Sequence, residues 1–259
     1  MNTFAVLSKK EFSQMVKEYK ILWLPIVFML LGLTQPIMMY YLPMILKSLG
    51  GVEGIRIDPT MAKPEGQEVL ASTLNSQFDQ LGIIIIIVAA MSVIQAEKAN
   101  GMLAFILTRP VSISSYLGSK IATHYLLAVF SLAIGYIASY GYTVFLFSPV
   151  PISQVILAFA LYCLWLLFII TFVTMLSTFF NSPAVIALVS IVMLLLCRLI
   201  AGLHPVLDIF NPAGFSLRAS SVLITGSVGA WWELNLLVTF LVILGMTLTM
   251  HYWIAKKKF

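Results

Sequence analysis

Glu97, Lys98 and Arg109 place opposite charges within one short polar insert. It reads Glu97-Lys98-Ala99-Asn100-Gly101, then Met102 to Leu107, then Thr108-Arg109-Pro110-Val111-Ser112, and it parts the apolar runs 81–94 and 121–147. The chemistry these residue types support is recognition. Met102, Leu103, Phe105, Ile106 and Leu107 make a compact apolar knob beside a basic turn, a shape suited to a groove on a soluble partner. Gly101 loosens the chain ahead of the knob. Pro110 breaks the helix and holds Arg109 out of helical geometry. Ser112 is placed to cap a second helix that runs through Ile113, Tyr116 and Leu117 to Lys120.

Catalytic constellations are not evident. His124, Arg198 and Glu233 each fall near the end of an apolar run, where a charged head reaches water while its stem stays in apolar surroundings. No Asp or Glu is expected in the middle of those runs, where ion-coupled carriers keep their ionisable groups. Gly214-Phe215-Ser216 and Gly226-Ser227 lack the following glycine of a nucleophile elbow. No Gly-x-x-x-x-Gly-Lys-Ser/Thr phosphate loop occurs. Cys163 and Cys197 both lie in apolar runs and read as packing residues. The expectation is therefore no catalytic residue, no cofactor and no metal, and any active process must draw energy from a partner.

The elements that position the insert follow from composition. The chain has 259 residues, 61% hydrophobic and 10% charged, where a soluble domain carries about a quarter charged residues. Long apolar stretches without period-two alternation predict an all-α polytopic membrane protein and exclude a barrel. Six spans are expected, near 21–41, 80–96, 121–147, 154–180, 184–203 and 232–254, with the second the shortest. Asn181-Ser182-Pro183 predicts a hairpin, with Ser182 as N-cap and Pro183 at the first helical position.

Residues 1–20 predict an interfacial helix with Phe4, Phe12, Met15, Val16 and Tyr19 on one face and Lys9, Lys10, Lys17 and Lys20 away from it. Residues 44–79 read as an extracellular polar loop. Residues 204–231, apolar but broken by His204-Pro205, Asn211-Pro212, Gly214, Gly226 and Gly229, read as an extracellular pair of re-entrant half-helices. The whole of 1–259 is one transmembrane domain, with 97–120 its cytoplasmic segment.

The leader lysines, Lys98, Arg109, Lys120 and Lys256 to Lys258 share one side of this topology. The positive-inside rule makes that side cytoplasmic, with both termini, in a cell membrane. Topology thus accounts for the net charge of +5, and no nucleic-acid partner is needed. Ser131, Gly135, Ser139 and Thr143 recur every four residues and predict close packing against another span of the same subunit.

The insert resembles a pattern of the ABC-2 type permeases, membrane subunits of ATP-binding-cassette exporters. That pattern runs Glu, Gly, Leu, Leu, Pro-Val-Ser, Gly-Lys, here Glu97, Gly101, Leu103, Leu107, Pro110-Val111-Ser112 and Gly118 with Lys120. The leader helix, six spans, hairpin after span four and broken outer connection are similar too. Met102 stands where the family commonly has Thr, and Ile113-Ser114 where it has a basic residue. Length and ending resemble the small YxlG-type permeases, which pair with a separately encoded ATPase.

The resemblance implies that Glu97, Gly101, Leu103, Leu107, Arg109, Pro110, Val111 and Ser112 form a coupling segment docked on an ABC ATPase subunit. It also implies a homodimer or heterodimer of permeases in the lipid bilayer. A different reading, a non-transporting scaffold or sensor whose insert binds a cytoplasmic regulator, fits the same insert.

Overall fold

Each apolar run is long enough to satisfy its backbone as a helix, and the computed structural model shows helices throughout the described residues, 3–48, 64–108 and 111–256. The N-terminal α1 (Thr3–Lys17) meets α2 (Lys20–Ser48) at an elbow where Tyr19 has φ 57°. Next come α3 (Gly66–Ser72), a π-helical segment (Thr73–Gly82) and α4 (Ile83–Ala90). A turn leads into α5 (Gln95–Ala99) and α6 (Met102–Leu107). Three long helices follow, α7 (Ile113–Leu146), α8 (Ile152–Phe179) and α9 (Pro183–Ile200). Two short ones, α10 (Pro205–Phe210) and α11 (Gly214–Thr225), precede α12 (Trp232–Lys256).

Six stretches have the length and apolarity to cross a bilayer: Lys20–Ile45, Gly66–Ala99, Ile113–Leu146, Ile152–Phe179, Pro183–Ile200 and Trp232–Lys256. The chain is an all-α polytopic membrane protein.

The second of these departs from expectation. It is a run of 34 residues, tied with Ile113–Leu146 for the longest of the six, where the sequence predicts the shortest. Residues 66–79, assigned to the polar loop by hydropathy, are helical and packed into the bundle, with Val69, Leu70, Leu74, Phe78 and Asp79 buried. The part of that loop at 49–63 lies outside the described residues. Hydropathy fails here because the polar residues of the π segment find partners inside the protein. Gln35 of α2 donates to Ser72 Oγ at 2.7 Å and accepts from Ser76 Oγ at 3.2 Å and from Gln77 Nε2 at 3.0 Å. Ser139 of α7 donates to Thr73 Oγ1 at 3.1 Å.

The small-residue stripe of α7 packs within the subunit. A Cβ added at Gly32 would lie 2.1 Å from the Gly135 carbonyl oxygen, and one added at Gly135 would lie 2.4 Å from that of Phe28. The backbones of α2 and α7 therefore touch, a close approach that small residues allow. Ser131, Ser139 and Thr143 are buried along the same face. The core continues through Trp165, Leu166 and Ile169 of α8 and Phe215, Ala219 and Val222 of α11. Pro183 opens α9 as the sequence predicts, although Ser182 makes no side-chain cap bond.

Two polar side chains anchor the α10–α11 connection. Asn235 of α12 donates to the carbonyls of Asp208, Ile209 and Asn211 at 2.7, 3.0 and 3.1 Å. Asn211 in turn donates to Cys197 O at 2.7 Å. These bonds satisfy carbonyls that a broken helix leaves open.

Candidate coupling segment and a buried ionic node

The insert is built onto the end of the bundle that carries α1. Ser177 of α8 accepts from the backbone N–H groups of Ile94 and Gln95, each at 3.0 Å. Lys98 Nζ donates to the carbonyls of Thr178 and Phe180 at 2.9 and 2.6 Å. A cation placed there complements the carbonyl end of α8. The descending second span is thus fastened to the fourth before the insert begins.

Glu97 is the centre of the segment, and it points inward. It is 5% exposed. Its carboxylate accepts from Lys10 Nζ of α1 and, at 2.5 Å, from the Tyr116 hydroxyl of α7. Lys120 Nζ lies 3.2 Å from Glu97 Oε2 and 3.0 Å from Glu11 Oε1. Two carboxylates, two ammonium groups and a phenol close a network in which the charges balance. Burying any one charge alone would be costly, and mutual pairing offsets that cost. An exposed Glu97 whose loss costs the bundle little is therefore not what the structure contains. Beside this network, at the α1–α2 elbow, Glu18 accepts from Lys20 at 2.6 Å and Gln14 at 2.8 Å. Partial burial pushes the Glu18 carboxyl up, but these donors outweigh it and hold it below its ordinary value.

Gly101 adopts φ 69°, with nothing within 4 Å of an added Cβ, so the left-handed backbone alone calls for glycine. It turns the chain into α6. Leu103 and Ile106 are buried against Val93, Ile94, Tyr116, Leu117, Met250 and Ile254, and Val111 packs partly against the same cluster. Met102 and Phe105 face outward, 44% and 59% exposed. Ser112 caps α7, its Oγ accepting from Ser115 N at 3.2 Å. Arg109, Pro110 and the side chain of Leu107 lie outside the described residues. Of the predicted coupling residues, the structure thus gathers Glu97, Leu103 and Val111 as the inner face of the segment, while Gly101 and Ser112 shape its turns.

Of the other ionisable candidates, Glu233 is exposed, as its place at a span end predicts. The remaining two depart from expectation. His124 is buried, with Nδ1 3.0 Å from Lys120 O. Arg198 points into the bundle: its Nε donates to Asp79 Oδ2 at 2.6 Å and its Nη2 to Asn75 Oδ1 at 2.8 Å. Asp79 also accepts from the Tyr162 hydroxyl at 3.0 Å and from the Ser216 hydroxyl. A buried acid inside the second span thus joins the π segment, α8, α9 and α11. π-Helical turns are frequent at functional positions, and this one sets Asn75 and Asp79 side by side toward Arg198. Its sequence signal is an unexplained arginine, Arg198, at the end of an apolar run.

The profile of the family described as "ABC-2 family transporter protein" matches residues 5–213. The chain is also similar to a protein of Bacillus subtilis (strain 168) described as "Uncharacterized transmembrane protein YxlG", with 33% identity over 245 residues, 94% of each chain. The profile match takes in most of α1, the insert, the network around Glu97 and the first five spans. The chain belongs to the ABC-2 family of transporter proteins and is a permease-like membrane component.

Proposed function

We propose that the chain is the membrane-spanning permease subunit of an ABC exporter, driven by a separate ATPase subunit that grips α6 at the cytoplasmic face of the cell membrane. Two permeases, identical or related, face each other to form the translocation path. Both termini lie on the ATPase side, and α1 rests on the lipid headgroups with Phe12, Val16 and Tyr19 exposed toward them. The broken α10–α11 connection dips into the outer leaflet.

The observation that carries the reading is the two-faced α6. Leu103 and Ile106 hold it to the bundle while Met102 and Phe105 stand outward. Glu97, one turn away, ties the same segment to α1 and α7. Force applied by a partner to the outer face would pass into α1 and α7 through short, paired contacts. Arg109 and Pro110 complete the docking turn in this proposal.

Phe105→Asp and Met102→Asp test it, since both change the outward face without touching the ionic network. Loss of a central aromatic contact weakens association by about tenfold or more. Co-purification with the ATPase and ATP-dependent transport should fall together, and in Met102→Asp without loss of thermal stability of the permease. Full association and transport in the double variant would refute the docking role.

A further inference from the structure

At the end of the bundle away from α1, a cavity of about 520 Å³ opens between α10, α11 and the turn 226–231. Pockets that hold small ligands span roughly 300–1,000 Å³. Its walls include Asp208, Leu217, Arg218, Ser221, Val228 and Trp231.

Arg218 holds the turn over α11, its Nη1 donating to Val228 O and Ala230 O, each at 2.9 Å. Gly226, Gly229 and Trp231, at φ 73°, 82° and 62°, fold the turn so that those carbonyls face the guanidinium. The Nε of Arg218 is buried and has no acceptor among the described residues. A buried donor without a partner is costly, and this one belongs to a cation.

Asp208 brings the opposite charge to the same cavity. Its Oδ1 accepts from Gly202 N at 2.7 Å, and among the described residues it forms no ion pair with Arg218. One cavity therefore presents a cation and an anion with no direct ion pair between them among the described residues. Beside it α10 exposes Val206, Leu207 and Phe210, an apolar strip leading away from the charges.

We propose that this cavity binds the zwitterionic, phosphoethanolamine-type headgroup of an amphiphile, phosphate against Arg218 and ammonium against Asp208, with acyl chains along α10. A purely anionic headgroup would meet Asp208 unfavourably, and a purely cationic one would leave the guanidinium unpaired. The site is remote from α6, so the proposal does not depend on how the ATPase docks.

The test uses the full-length chain in detergent, titrated with dihexanoyl phosphatidylethanolamine and read by tryptophan fluorescence and thermal shift. Dihexanoyl phosphatidylglycerol lacks the ammonium, and soluble phosphoethanolamine lacks the chains. The ethanolamine lipid should bind about tenfold or more tighter than the glycerol lipid, the scale of one charge-assisted contact.

Asp208→Asn, whose side-chain oxygen still accepts from Gly202, should erase that preference. Ser221→Phe, which fills the cavity and spares both charges, should weaken both lipids. Arg218→Gln should abolish binding. Equal binding of the two lipids by the unmodified chain, or unchanged binding in both Asp208→Asn and Ser221→Phe, would overturn the site. Equally tight binding of soluble phosphoethanolamine would overturn the amphiphile in favour of a small zwitterion.

Discussion

Asp79 and Arg198 meet inside the bundle, Oδ2 to Nε at 2.6 Å, from elements 119 residues apart. The Asp79 side chain is fully buried and that of Arg198 is 17% exposed. Ser216 and Tyr162 complete the carboxylate's partners, and Asn75 takes a further guanidinium donor. The second, fourth and fifth spans and α11 are held in one register by these polar contacts, where apolar packing alone leaves helices freer to slide.

Removing one member of this pair strands the other. Asp79→Leu or Arg198→Leu alone should lower stability in detergent by about 3–5 kcal/mol, the cost of leaving a buried charge unpaired. Asp79→Leu combined with Arg198→Leu should recover most of that loss. Thermal or denaturant unfolding of the four proteins measures the coupling. Additive losses in the double variant would show that the two residues do not act as a pair.

The network around Glu97 should respond unevenly. The side chain of Lys120 is 2% exposed and that of Lys10 is 37% exposed, though both reach Glu97. Lys120→Ala should therefore cost about 3–5 kcal/mol, and Lys10→Ala no more than about 1 kcal/mol, because water screens the exposed partner. Glu97→Lys should cost stability as well as any coupling, since it gathers three ammonium groups. Equal unfolding midpoints for Lys10→Ala and Lys120→Ala would contradict this ranking.

Gly135→Leu and Gly32→Ala drive side-chain atoms into the backbone of the facing helix. Overpacking of this kind costs typically about 1–3 kcal/mol. Melting in detergent should drop, while mass by light scattering keeps the same subunit stoichiometry. Clean dissociation into stable monomers would instead place the stripe at a subunit contact.

This stripe was legible because spacing alone reports it, as spacing also reports the six spans, the Ser112 cap and Pro183. The ionic residues were not, and the reason is physical. Asp79 sits in Thr73-Leu74-Asn75-Ser76-Gln77-Phe78-Asp79-Gln80, a run whose average polarity is that of a loop. It becomes membrane core only because Gln35, Ser139, Tyr162, Arg198 and Ser216 satisfy it from elsewhere. Glu97 likewise looks like a solvated charge until α1 folds back over it. Hydropathy sums one segment at a time, whereas a buried polar group is paired across segments.

Orientation can be checked in a variant lacking Cys163 and Cys197. A cysteine at Ser13 or Lys256 should resist an impermeant thiol reagent in intact cells, and one at Ser227 should react. All three positions are exposed, so reactivity reports sidedness. Labelling of Ser13→Cys and Lys256→Cys from outside would invert the proposed topology and overturn the docking of α6 on a cytosolic ATPase.

The separation of Asp79 from Arg198 also sets an order on biogenesis. A ribosome adds about 5–20 residues each second, so the acid waits on the order of ten seconds before its guanidinium is made, 119 residues later. An acid at the centre of a span costs about 2.5–3.5 kcal/mol on insertion scales. The nascent second span therefore enters the bilayer weakly committed, held by the five isoleucines that follow Gly82. Its acid gains the Arg198 partner only once the fifth span has been made.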